Sequence, residues 1–289
     1  MKAQTLSICI PGQQCDKDCP YCVSKMTWYP PKDEHSWLVN RDKVVNFARM
    51  AQVTDVIITG KGEPSLRTGF LMSVLTTFAG WPLVLQTNGR FLSGHPEKIQ
   101  VLSDHGLNVL AVSIDDPKQM NEYKDLWDVV KWHPPLTARV TVMVTPEVCQ
   151  VPFLDWVDMS LDRGIRGLSF RQITVPEECA DTPEAKQTAE WIRSIQHTPA
   201  VLNWTRNFEW EFKESERDKD HPSITYHHDK KLVRKLPYGA VIKDFKGVSV
   251  TKFDYCIQDT CGDDDIRSLI YNQDGHLYTS WSSPASMIF

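Results

Sequence analysis

Short apolar segments recur through the first two thirds of the chain and alternate with amphipathic stretches. Most of these segments are rich in Val, Ile and Leu and are only five to eight residues long, which is typical of buried parallel strands. The pattern predicts six strands, at residues 5–10, 53–59, 83–87, 107–114, 138–145 and 167–173.

The stretches between these strands show helical periodicity. A first helix is expected to begin with Asn40 as its cap, with an apolar side formed by Val44, Val45, Phe47, Ala48 and Met50. Repeated strand–helix units through about residue 198 predict an α/β fold with parallel strands. Six strands suit a partial (β/α)6 barrel, whereas a closed barrel of eight would need two more. Further helices are predicted at 65–79, 96–105, 117–132, 153–163 and 182–195.

The pattern changes after residue 198. Residues 207–213 alternate between apolar and polar side chains, which predicts a half-exposed strand, and the charged run 214–220 predicts a solvated loop. Lys246-Gly247 and Asp274-Gly275 each lie between strand-like segments, as in β-hairpins. We therefore expect a core domain at 1–198 and, at 199–289, an extension of antiparallel hairpins packed on it.

Composition narrows the choice of protein class. The 289 residues are 41% hydrophobic with a net charge of -5, which suits a globular protein and makes a nucleic-acid partner unlikely. No signal-peptide pattern or apolar run of membrane-spanning length is present, so the expectation is a cytoplasmic protein without a membrane partner. Eight cysteines in such a chain favour metal binding over disulfides.

Three of the cysteines, Cys15, Cys19 and Cys22, form a C-x3-C-x2-C cluster directly after the first predicted strand. Active sites of parallel α/β folds form at this end of the strands. Three thiolates can hold a four-iron cluster and leave one iron open to a small molecule. They could equally hold a structural zinc ion with a fourth ligand such as His35, and spacing alone leaves both open.

This spacing, with the aromatic Tyr21 before the last cysteine, resembles the signature of the radical S-adenosylmethionine superfamily. The resemblance implies that Cys15, Cys19 and Cys22 bind a [4Fe–4S] cluster. It also implies that the open iron chelates the amino and carboxylate groups of S-adenosylmethionine, and that Tyr21 lies near the adenine.

A second matching motif follows the second predicted strand, where Gly62, Glu63 and Pro64 resemble a segment that contacts the methionine amino group in this family. Lys61 stands where the stricter form of the motif has a glycine. A carboxylate here could accept hydrogen bonds from an ammonium group. The alternative is a turn that caps the next helix.

Later strand ends supply further candidates for cofactor binding. Thr87 and Asn88 resemble the family's third strand end, with a simple Asn-Gly turn as the alternative. Ser113 matches a serine beside the ribose or methionine, although the adjacent acidic residues could merely cap a helix; Asp115 could also face cofactor or substrate. Arg171 could grip a carboxylate bidentately or form a salt bridge to a neighbouring helix.

The C-terminal extension is similar to the auxiliary-cluster domains called SPASM or twitch domains. Cys256, Cys261 and Gly275 follow their pattern, but Ser280 stands where the closing cysteine should be. The expectation is a degenerate extension of this type without a second cluster.

Together these features predict an enzyme that cleaves S-adenosylmethionine reductively to a 5′-deoxyadenosyl radical, which then abstracts hydrogen from a peptide or small metabolite. The implied electron donor is a flavodoxin or ferredoxin. Two alternatives stay open: a related enzyme acting on a nucleotide or sugar, and a non-enzymatic zinc or iron–sulfur binding module. The sequence does not specify the substrate, the oligomeric state or whether S-adenosylmethionine is regenerated.

Overall fold

A computed structural model describes residues 2–12, 14–176, 179–217, 231–235, 241–253, 265–281 and 283–289. Its strands are β1 (Lys2–Ile10), β2 (Asp55–Gly60), β3 (Leu83–Thr87), β4 (Val109–Ile114), β5 (Thr137–Val144), β6 (Gly167–Gln172), β7 (Lys231–Lys235), β8 (Val241–Phe245), β9 (Val248–Phe253), β10 (Asp265–Tyr271) and β11 (Leu277–Tyr278). Its α-helices are α1 (Val23–Met26), α2 (Glu34–Met50), α3 (Thr68–Thr77), α4 (Arg90–Ser93), α5 (Pro96–Asp104), α6 (Gln119–Glu122), α7 (Lys124–Trp132), α8 (Phe153–Asp162), α9 (Pro183–Gln196) and α10 (Pro199–Arg217).

All these strands join one sheet in the order β11-β10-β1-β2-β3-β4-β5-β6-β9-β8-β7. The strands from β10 through β1–β6 to β9 pair in parallel, and antiparallel strands flank them on both sides. The predicted α/β class, with parallel strands and antiparallel C-terminal strands, is confirmed. Because C-terminal strands extend both edges of the sheet, they continue the core sheet; a domain boundary at residue 198 stays a prediction.

The two faces of the parallel strands differ in chemistry because successive side chains point to opposite faces. On β1, Leu6 and Ile8 are fully buried in the main apolar core, whereas Thr5 and Ser7 line a cavity. On β6, Phe170 belongs to that core and Arg171 lines the cavity. One face therefore packs against the helices, and the other is available for binding.

The second helix begins earlier than the sequence pattern predicted. Asp33 is its cap, with the carboxylate accepting a 3.0 Å hydrogen bond from the Ser36 amide. Asn40 lies inside α2, where its Nδ2 donates to the Gly275 carbonyl at 2.8 Å. The prediction that Asn40 caps this helix was therefore wrong. The apolar side of the helix begins two turns before Val44, at the buried Trp37.

The strand predicted at 207–213 was also wrong, since these residues lie in α10. Over the longer window, the buried side chains Val201, Trp204, Phe208 and Phe212 are spaced three and four residues apart, which is the helical period. Trp210 completes the local alternation but is 54% exposed. Helix α10 takes in residues 214–217 of the charged run, and the rest of that run lies outside the described residues.

The other predicted elements agree with the structure apart from their ends. The helix predicted at 117–132 is divided into α6 and α7, and the one predicted at 65–79 begins with a 3-10 turn before α3. Both hairpins are present, between β8 and β9 and between β10 and β11. Among the described residues, no helix has both the length and the apolar character needed to cross a membrane.

Candidate functional site

A cavity of about 820 Å³ opens at the carboxyl ends of the parallel strands. Side chains from the ends of β2 through β6 line it, together with the loop that follows β1. All the site residues predicted from the sequence lie around this one cavity: Cys15, Cys19, Tyr21, Cys22, Gly62, Glu63, Pro64, Thr87, Asn88, Ser113 and Arg171. The structure thus brings the candidates together, while their individual roles stay predictions.

The three cysteines sit on the loop between β1 and α1. All three are free thiols, and Cys15 is the most exposed of them. The Cys22 amide donates to the Cys19 carbonyl at 3.2 Å, and Cys22 is the residue directly before α1. Burial raises the pKa of the Cys15 and Cys19 thiols above the ordinary value, so in the absence of a cation these groups hold their protons more tightly than a free thiol.

One side of the cysteine loop is fastened to the end of β3. The Asn88 Nδ2 donates to the Asp16 carboxylate at 2.6 Å and lies 3.7 Å from the Cys15 sulfur. Arg90 donates to the Asp16 carbonyl at 2.7 Å. Asp16 and Arg90 were not predicted as site residues, because no local motif distinguishes them from solvent-exposed charges.

The other side of the loop is fastened to Asp115, just after β4. Lys17 Nζ lies 2.7 Å from one carboxylate oxygen of Asp115, and the Tyr21 hydroxyl donates to the other. Burial opposes ionisation of Asp115, but the hydrogen bonds from Lys17 and Tyr21 outweigh it and lower the pKa of the carboxyl. Asp115 therefore holds the loop in place, and no local motif identifies Lys17 as its partner.

Glu63 lies at the centre of a hydrogen-bond network that links two strand ends. It is only 4% exposed, and its Oε1 accepts hydrogen bonds from the Ser65 amide at 2.9 Å and the Thr87 hydroxyl at 2.6 Å. Its Oε2 accepts one from the Asn88 amide at 2.8 Å. A carboxylate has about four acceptor positions, so these bonds leave room for one more donor from the cavity.

The Asn-Gly turn after β3 requires its glycine. Gly89 has a φ of 77°, and a Cβ there would lie 2.7 Å from Cγ1 of Val112. Its amide donates to the Thr87 hydroxyl at 3.0 Å, so the turn that was the alternative interpretation of this motif is real and also positions Thr87 toward Glu63. Ser113 and Arg171 line the same cavity from β4 and β6.

The donor set, three thiols on one loop beside the cavity, fits an iron–sulfur cluster. In the described part of the chain, no three His, Cys, Asp or Glu side chains are grouped so that they could hold one metal ion. Each cysteine of a four-iron cluster binds a different iron, so its thiolates stand further apart than the ligands of a single zinc ion. His35, the suggested fourth zinc ligand, is exposed on α2 and does not line the cavity.

Three free thiols lie on the loop after the first strand of a parallel α/β sheet, beside a cavity at the strand ends. Active sites of enzymes with such sheets form at this end of the strands. Residues 9–134 match the family model of the Radical SAM superfamily. The chain therefore carries a radical SAM domain over this segment, which is less than half of its length. The cofactors of the superfamily are a [4Fe–4S] cluster and S-adenosylmethionine, as predicted.

Comparison with solved structures supports the fold. The chain is similar to SuiB from Streptococcus suis bound to the precursor peptide SuiA, with 12% identity and a TM-score of 0.58. It is similar also to SuiB bound to S-adenosylmethionine, with 12% identity and a TM-score of 0.59. Each match covers 96% of this chain but only 59% and 60% of the SuiB chain. The predicted partial barrel is thereby confirmed, and no curated protein sequence matches the chain.

Proposed function

We propose that this protein binds a [4Fe–4S] cluster through Cys15, Cys19 and Cys22 and uses S-adenosylmethionine to start a radical reaction on an organic substrate. When both are bound, the reduced cluster would supply one electron and S-adenosylmethionine the carbon–sulfur bond whose cleavage yields a 5′-deoxyadenosyl radical. The observation that carries the proposal is the convergence of the cysteine loop and five consecutive strand ends on one cavity.

The residues of this chain would serve mainly to fix the cofactors and exclude water. The side-chain amide nitrogen Nδ2 of Asn88 lies 3.7 Å from the Cys15 sulfur. It would stabilise the thiolate form of Cys15 through a weak hydrogen bond. Glu63, with one acceptor position free, would receive the ammonium of the methionine moiety. Holding reacting atoms close together in a shielded cavity is the main contribution a protein makes to cofactor chemistry of this kind.

Two observations support the proposed partners. Cys15 is exposed, so a cluster bound there would lie near the protein surface, where a flavodoxin or ferredoxin could deliver an electron. SuiB, which shares the fold, binds a precursor peptide. A cavity of about 820 Å³ is at the upper end of the usual range for ligand sites and could hold the adenosyl group together with one substrate side chain. We therefore favour a peptide substrate.

We further propose that the protein carries a single cluster. The described cysteines outside the loop are Cys9, Cys149 and Cys179, and each packs in a different apolar cluster. They are therefore not grouped as the ligands of a second cluster would be. Cys256 and Cys261, on which the resemblance to an auxiliary domain depends, lie outside the described residues.

The test of the proposed function is anaerobic reconstitution followed by product analysis. Wild-type protein should bind about four irons per chain and release 5′-deoxyadenosine after reduction. Cys22→Ala should lose both properties, whereas Cys149→Ala, a matched change away from the cavity, should keep them. Formation of 5′-deoxyadenosine by Cys22→Ala would contradict the ligand assignment, and about eight irons in the wild type would contradict the single cluster.

A further inference from the structure

A second large cavity, a groove of about 590 Å³, lies between helix α10 and the segment that joins β5 to α8. Its floor includes Trp204, whose ring stacks on Phe208 with the ring centres 5.4 Å apart and whose Nε1 donates to the Val151 carbonyl at 2.8 Å. Trp210 also lines the groove and is 54% exposed. An exposed tryptophan beside a fixed aromatic floor is typical of a surface that binds a partner.

The polar side chains of the groove suit the backbone of an extended peptide. Asn203 and Asn207 lie one turn apart on the same face of α10, and both line the groove with exposed side chains. Four residues of a helix advance about 6.0 Å, and two residues of an extended chain advance about 6.6 Å. The two side-chain amides can therefore meet alternate peptide groups of one bound chain, since each amide both donates and accepts hydrogen bonds.

The groove carries negative charge. Asp155 and Glu211 are the charged side chains among its described wall residues, and no Lys, Arg or His is among them. Glu211 already interacts within the molecule, whereas Asp155 is exposed and forms no ion pair with a described residue. Burial raises the pKa of the Cys149 thiol, another wall residue, to about 12, and the negative charge of Glu147 adds to the rise. A cationic side chain is therefore favoured here.

The groove lies at the same end of the sheet as the main cavity. Its wall residues between 149 and 155 follow the carboxyl end of β5 after a short loop. The Cys149 amide donates to the Thr145 carbonyl at 3.0 Å, and the Thr145 hydroxyl donates to the Asp115 carbonyl at 3.0 Å. Because Asp115 also holds the cysteine loop, the groove and the cavity share one connected support.

We propose that this groove binds an extended, lysine- or arginine-bearing segment of the peptide substrate, remote from the residue that reacts in the main cavity. The Trp210 ring packs against a basic side chain, Asp155 attracts its charge, and the asparagines of α10 bind the peptide backbone. The inference rests on the proposed function and deepens it. A second contact outside the cavity lets the enzyme select its substrate by a segment that undergoes no chemistry, and raises the local concentration of the reacting part.

Binding of a defined peptide tests the groove directly. The peptide amide Lys-Ser-Lys-Ser-Lys, carrying an uncharged fluorophore, is titrated with the reconstituted holoenzyme and followed by fluorescence anisotropy. Trp210→Ala should weaken its binding about tenfold or more, as is common for tryptophans that dominate an interface. Asp155→Asn should weaken it about threefold and reduce its salt dependence. Trp132→Ala and Asp128→Asn, which change exposed side chains of α7, should leave it unchanged.

The chemistry of the ligand is tested by two competitors. The same peptide with Glu in place of Lys should bind at least about tenfold more weakly, because its charges are repelled by the groove. Equal binding of the two peptides, or wild-type affinity in Trp210→Ala, would overturn the proposal. Displacement of the labelled peptide by spermidine at an equal concentration would assign the groove to small cations and would equally overturn it.

A turnover experiment tests the link between the groove and the cavity. Peptide libraries that carry the basic or the acidic segment, flanked on both sides by randomised residues, are added to the reconstituted enzyme with S-adenosylmethionine, and 5′-deoxyadenosine is measured. The basic library should raise its formation above the peptide-free rate at lower concentration than the acidic library. Trp210→Ala should abolish this difference and keep the peptide-free rate.

Equal effects of the two libraries on the wild type would overturn the groove as a substrate site. Failure of the proposed function is distinguishable from this result. In that case the wild-type protein would bind no cluster and form no 5′-deoxyadenosine, whereas the peptide titration would still report on the groove.

Discussion

The ion pair between Lys17 and Asp115 should be the strongest single restraint on the cysteine loop. It joins the loop to the end of β4 across 98 residues of sequence, at a distance of 2.7 Å. The two side chains are only 15% and 18% exposed, so solvent screens them little. Replacing Asp115 by Asn removes the charge while keeping the shape, and leaves the Lys17 ammonium without its partner.

The burial of both side chains determines the coupling energy that we expect for the Lys17–Asp115 pair. A hydrogen bond to a charged group contributes about 1.5–3 kcal/mol, so a double-mutant cycle with Asp115→Asn and Lys17→Met should give a coupling energy in that range. The matched control is the ion pair between Asp18 of the same loop and Lys25 of α1, which are 2.5 Å apart and where Asp18 is 91% exposed. Because water and salt screen that pair, its coupling should stay below about 1 kcal/mol.

Urea unfolding of the four variants of each cycle measures the coupling. The pKa of Asp115 is lowered in the folded state, so its ionised form contributes stability above the ordinary carboxyl value of 3.8, and this contribution is lost as the pH falls through the folded value. The difference in unfolding free energy between wild type and Asp115→Asn should therefore shrink below that pH. Equal couplings for the two pairs, or a difference independent of pH, would refute the reasoning.

Three further changes test other parts of the structure. Glu63→Gln should weaken S-adenosylmethionine binding about ten- to a hundredfold by calorimetry, with the iron content unchanged; unchanged affinity would leave Glu63 only its role in the turn. Gly275→Ala should lower the melting temperature more than Gly106→Ala, because both have positive φ but only at Gly275 would a Cβ lie 2.5 Å from backbone atoms. Phe208→Ala should cost about 3–5 kcal/mol in urea unfolding and Trp210→Ala far less, whereas similar losses would argue against helix α10.

The elements with a strong local pattern were predicted well from the sequence. Strand 83–87 was predicted with the bounds that the structure shows, and Thr182 caps α9 through a 3.1 Å bond from the Ala185 amide, at the predicted start of that helix. The grouping of the candidate site residues around one cavity was expected for a related reason, because these residues follow successive strands and parallel strands bring their ends together. The roles of the individual residues stay predictions.

What could not be predicted depends on contacts between distant segments. The parallel pairing of β10 with β1 joins residues more than 260 positions apart, and no local pattern in either strand indicates it. In the sequence, nothing distinguishes Asp16, Lys17 and Arg90 from ordinary surface charges. Their role depends on the fold, which brings Asp16 to Asn88 and Arg90, and Lys17 to Asp115. The helix at 199–217 was missed because a seven-residue window of it alternates like a strand.

The division of the sheet into an apolar and a polar face also bears on how such a protein could acquire new specificity. Exchanges at Met143 or Ser268 alter the walls of the binding space without removing a side chain from the principal helix–sheet core. Selection could therefore vary these positions at small expense in folding, which makes them suitable targets for directed evolution toward other substrates.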